Sequence, residues 1–93
     1  VEGFAPHARA ANALADVARL RRDQAELHGH TAAADDARDL ADFGRTLQRL
    51  ALDVVEDLQF NKRLLARRHA VKLAAFAVAL ADRLDRDFAR AQS

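Results

Sequence analysis

The sequence contains no cysteine, methionine, tryptophan, tyrosine or isoleucine, one proline and three glycines in 93 residues. Without cysteine it can form no disulfide and no thiolate metal site. Without methionine, Val1 is expected not to be a native start. With only Val and Thr to supply β-branching and few residues that turn the chain, strands are poorly served. No apolar run exceeds nine residues, Leu73 to Ala81, whereas a membrane-spanning helix needs about 20. Fifteen Lys and Arg stand against fourteen Asp and Glu, for a net charge of +1. That balance argues against a protein dedicated to wrapping nucleic acid. A cytoplasmic, cofactor-free protein is the expectation.

What is present favours helix. Alanine supplies 23 residues and leucine 13, with 6 Val and 5 Phe. Ala, Leu and Arg are strong helix formers, so the fold class is all-α. Alanine buries little surface, however, and a chain this short hides only about 60% of its unfolded surface. It is therefore expected to be marginal alone and to gain from self-association.

Three helical segments are expected within a single domain, at about 6–28, 32–60 and 62–91. Pro6 suits a first turn, because its missing N–H is not needed there. Ala10, Ala13, Val17, Leu20, Gln24 and Leu27 then recur every three or four residues, with Leu14 and Ala18 widening the stripe. Gly29 can stop this helix in the left-handed conformation, and Thr31 can cap the next. The second segment carries Ala33, Ala37, Leu40, Gly44, Leu47, Ala51, Val54 and Leu58 on one face. Gly44 on that stripe suggests either close helix approach or a weak point. The third carries Leu65, Leu73, Phe76, Leu80 and Leu84, with Phe88 to one side.

The join near Asn61 admits two architectures. A turn there gives an antiparallel, up-down-up three-helix bundle of well-matched lengths. Continuity gives a helical hairpin in which segments 2 and 3 fuse into one rod, an obligate dimer. The apolar stripe keeps its heading through Asn61, and Asp53, Glu56, Asp57, Lys62 and Arg63 have the wrong signs for helix ends there. Long helices are rare in small domains, which favours the turn. In either case the expected interaction seam is Leu47, Val54, Leu58, Leu65, Leu73, Phe76, Leu80 and Leu84. The expected partner is a second copy, in a coiled-coil-like homodimer, or another helical protein.

Three groups could carry chemistry. His28 and His30 flank Gly29, with Asp35 and Asp36 across the turn, a spacing able to hold Zn²⁺. Imidazoles at a helix C-terminus also cap carbonyls, and no metal is expected. His69 falls mid-stripe between Leu65 and Leu73, where its ring needs a facing carboxylate or carbonyl, and His7 would lie at the same end of a bundle. The cluster Lys62, Arg63, Arg67, Arg68 and Lys72 could bind nucleic acid or another polyanion, although it fans around the helix and has no aromatic companion except Phe60.

The stretch His69-Ala70-Val71-Lys72-Leu73-Ala74-Ala75 resembles the His-x-x-Lys-Gly-small-small signature of histidine-containing phosphotransfer domains, with Leu73 in place of the glycine. That resemblance implies a helical bundle in which His69 accepts a phosphoryl group and Lys72 neutralises it. The architecture is also similar to that of all-helical chorismate mutases, which would place Gln24, Asn61, Arg68 and Lys72 around a cavity. The expected function is nevertheless non-enzymatic: a helical module for self-association or protein contact, with polyanion binding as the alternative.

Overall fold

A computed structural model describes residues 5–29 and 31–92, with side-chain surroundings from residue 11 onward. Four helices follow one another, α1 (Ala5–His28), α2 (Ala32–Ala37), α3 (Leu40–Gln59) and α4 (Arg63–Ala91), with no strand among the described residues. The chain is all-α, and no described helix is long and apolar enough to cross a membrane.

The helix boundaries follow from local chemistry. Gly29, at φ 69°, ends α1 in the left-handed region. Thr31 Oγ1 then accepts the Ala34 N–H at 3.2 Å and caps α2. The segment expected to run unbroken over 32–60 is divided. Arg38 is extended (φ −82°, ψ 139°), and Asp39 restarts the helix by accepting the Ala41 N–H. An aspartate is a strong N-cap, and Arg83 stabilises the break from across the molecule. Its Nη1 donates to the carbonyl of Arg38 at 2.6 Å and to that of Asp35 at 2.9 Å, which also accepts the Arg38 N–H at 3.1 Å.

The chain turns again between α3 and α4. Asn61, at φ 56°, is the only described non-glycine residue with positive φ. The Lys62 N–H bonds the Asp57 carbonyl at 2.8 Å, and the Asn61 N–H bonds Leu58 at 3.2 Å. This paired pattern is a Schellman ending in which asparagine fills the place glycine usually takes, since its short polar side chain tolerates the left-handed region.

Packing is organised around α4. Helices α1, α2 and α3 each pack on α4, and among the described residues not on one another. Ala66 and Ala75, the buried residues of α4, lie nine positions apart, about half a turn around its axis. The helix is therefore covered on two sides. The buried line of α3 runs Phe43, Leu50, Asp57 at heptad spacing. The stripe expected through Leu40, Gly44, Leu47, Ala51, Val54 and Leu58 is rotated from this line by about 80°. Only Val17 of α1 is buried among its described side chains, and Leu14 and Leu27, assigned to its apolar stripe, are 69% and 72% exposed.

The molecule measures 48 × 31 × 25 Å, with a radius of gyration of 15.4 Å against about 12 Å for a compact chain of this length. Of the two readings of Gly44, close helix approach falls away and the weak point stands, because a Cβ built there meets nothing within 4 Å. Gly44→Ala should therefore raise stability by about 0.5–1 kcal/mol through helix propensity alone. Urea denaturation would measure the gain, and a loss would reveal a close contact at that face.

Candidate functional site

Most of the expected seam is already occupied within the chain. Leu47, Val54, Leu65, Leu73, Phe76, Leu80 and Leu84 are half-buried, in keeping with the packing of α3 on α4. Leu58 departs from the group at 61% exposure. It projects from the flank of α3, because the buried line passes through Asp57 instead. Phe76 meets Phe43 with ring centroids 5.0 Å apart and planes tilted by 39°. The Arg38 guanidinium lies 5.1 Å from the Phe43 centroid and 4.9 Å from that of Phe76. Cation–π attraction thus joins the α2–α3 break to the core.

Phe43 and Leu50 are core residues that the sequence reading missed. The signal was available, since residues 43, 50 and 57 repeat every seven positions. Asp57 disguised it by placing a charge where a third apolar side chain would be expected.

His69 is half-buried and Asp57 is buried, and the two meet directly. In the tautomer that protonates Nδ1, His69 donates to Asp57 Oδ2 at 2.5 Å. A carboxylate that would be costly to bury alone is thereby partnered across the α3–α4 interface. His7 lies outside the residues whose side chains are described, and His30 outside the described residues altogether. Among the described residues, no three His, Cys, Asp or Glu side chains group as metal ligands.

The basic cluster divides into residues with different partners. Lys62 Nζ stands 5.9 Å from the Phe60 ring centroid, and Arg63 Nε donates to Asn61 Oδ1 at 3.0 Å. Arg67 Nη2 donates to Asp16 Oδ2 at 2.8 Å and ties α4 to α1. Arg68 borders a groove of about 460 Å³ that Asp16 and Asp23 also line. Carboxylates are therefore interleaved with this part of the positive surface. Arg68 and Lys72 make no ion pair among the described residues.

Further along, α4 is laced to its neighbours by arginine–aspartate pairs. Arg21 Nη2 reaches Asp82 Oδ2 at 2.8 Å, and Arg86 Nε donates to Asp36 Oδ1 at 2.9 Å. Arg90 also bonds Asp36. The Arg86 hydrogen bond holds the Asp36 carboxyl below the usual carboxylate range, with Arg90 adding to the effect and partial desolvation opposing it. The same bond raises the Arg86 pKa further. A carboxyl depressed on folding contributes stability above its unfolded pKa and loses it as pH falls through the folded value. Acid should therefore loosen α2 from α4, and Asp36→Asn should flatten the acid limb of the stability curve. Thermal melts of both proteins from neutral pH downward would test this, and parallel acid limbs would contradict it.

No protein-family model matches the chain, and no curated protein or solved structure proves similar to it.

Proposed function

We propose that this chain is a non-enzymatic helical module whose function is contact with other helices, first with a second copy of itself. In this reading α1, α3 and α4 form an up-down-up bundle, and two such bundles pair through the flank of α3 and its corner with α4. The observation that carries it is a run of uncovered apolar side chains. Leu52, Val55, Leu58, Phe60 and Leu64 are 59%, 49%, 61%, 66% and 86% exposed. Leu52, Val55 and Leu58 follow at three-residue steps on α3, so they neighbour one another along one face.

Charge favours a second copy over an unrelated helix. Asp53 and Glu56 precede the corner while Lys62 and Arg63 follow it, so a two-fold axis sets each acidic end against the partner's basic end.

Sedimentation velocity across micromolar concentrations should show a dimer, and Val55→Glu with Leu58→Glu should return it to monomer without loss of helicity. A monomer throughout, with the same fold, would refute the reading. Polyanion binding through Lys62, Arg63, Arg67, Arg68 and Lys72 is the second reading, favoured by the absence of ion pairs at Arg68 and Lys72. Salt-sensitive retention on heparin, lost on charge reversal at Arg67 and Arg68, would select it.

A further inference from the structure

Between α1 and α3, on the surface of α4, lies a cavity of about 240 Å³. Its charged lining is entirely basic, comprising Arg38, Arg49 and Lys72, and no carboxylate borders it. Of the ten arginines elsewhere whose side chains are described, seven have an aspartate within ion-pair distance: Arg19, Arg21, Arg45, Arg67, Arg83, Arg86 and Arg90. The adjoining cavity shares Gln24 and Phe76 with this one, but Asp35 lines it and two of its three arginines, Arg21 and Arg86, are neutralised by Asp82 and Asp36. Three cations without counter-charge therefore converge on one recess. Arg38, Arg49 and Lys72 form no ion pair among the described residues.

The recess is also ordered for recognition. Arg38 Nη2 donates to Thr46 Oγ1 at 2.7 Å, and its guanidinium rests on the Phe43 and Phe76 rings, so its fork is held before any ligand arrives. Having accepted that bond, the Thr46 hydroxyl keeps its own proton to donate. Gln24 adds an amide, while Leu50 and Phe76 supply apolar walls. Guanidinium, ammonium, hydroxyl and amide donors around an apolar wall suit an oxyanion attached to a small hydrophobic body. At about 240 Å³ the recess suits a guest of roughly ten non-hydrogen atoms.

We propose that this cavity binds a small organic anion, with a phosphate or carboxylate head held by Arg38, Arg49 and Lys72 and a short apolar body against Phe76 and Leu50. The site is independent of self-association, because it lies between α1 and α3 and the exposed run of residues 52–64 takes no part in it.

Phenyl phosphate and benzoate, titrated calorimetrically against the full chain, distinguish the two headgroups. Inorganic phosphate reports the head alone, and chloride at matched ionic strength reports screening. Saturable one-to-one binding of phenyl phosphate or benzoate is expected. Arg49→Gln and Lys72→Gln, both at exposed positions, should each weaken it about tenfold, the scale of one charge-assisted hydrogen bond. Arg45→Gln, exposed and outside the cavity, should leave it unchanged. Amide shifts in the wild-type protein should centre on Gln24, Thr46 and Phe76, a readout that needs no variant to fold. No saturable heat for either organic anion up to about 1 mM would overturn the proposal. So would equal weakening by Arg45→Gln, or shifts that avoid those three residues.

Discussion

Replacing Phe43 with alanine should remove about 3–5 kcal/mol of stability, a large share of what a domain of this size possesses. Phe43 is the one large side chain with no solvent exposure among the described residues. Its ring meets Phe76 on one side and the Arg38 guanidinium on another. Truncation leaves a cavity where α3, α4 and the α2–α3 break converge, and polar Arg38 cannot fill it with apolar substance. At about 4–8 °C per kcal/mol for a domain of this size, the melting temperature should fall by roughly 12–40 °C. Circular dichroism melts would show the drop. Phe76→Ala should cost less because Phe76 is only half-buried, and Phe88→Ala, at 66% exposure, should shift stability by no more than about 0.5 kcal/mol. A Phe43→Ala penalty below about 1 kcal/mol would mean that the ring is not packed.

His69→Leu should be nearly as damaging, and for a different reason. It strands the Asp57 carboxylate, 6% exposed, beneath the α3–α4 interface without its ring partner at 2.5 Å. Removing one member of a buried pair costs about 3–5 kcal/mol, and the partial exposure of His69 places this case at the lower end. Replacing both residues with leucine should recover most of the loss, because apolar packing then substitutes for the pair and no charge is left buried. The interaction energy follows from a double-mutant cycle by urea denaturation. If the double variant is as unstable as the sum of the singles, the two residues are not coupled and the contact contributes nothing of its own.

These residues show why the helical character of the chain was easy to read and its interior was not. Composition sufficed for the all-α class, and Thr31 and Gly29 marked their turn because capping depends on local chemistry. The break at Arg38 left a weaker trace, an aspartate at 39 followed by leucine, and Arg83 supports that break from 45 residues away. Sequence periodicity cannot register such distant help. In α3 the alanines and Gly44 outnumber Phe43 among the small and apolar positions, and the stripe they define lies about 80° from the line that packing buries. The charges beside Asn61 argued for continuity, but dipole effects are worth only about 0.3–1 kcal/mol each, less than the burial of a single large apolar side chain. The partner of His69 was foreseeable as a type, a carboxylate, but not as Asp57. The convergence of Arg38, Arg49 and Lys72 could not be seen at all, because the three come from different parts of the chain.

The dependence of every other helix on α4 has a bearing on biosynthesis. The ribosome releases α1, α2 and α3 before the one element that each of them packs against. None can reach its native neighbour while translation of this region is under way, so their apolar faces await the arrival of α4. The native helix–helix contacts of this region can therefore form only after α4 has been made, which leaves the earlier helices exposed to off-pathway association for that interval.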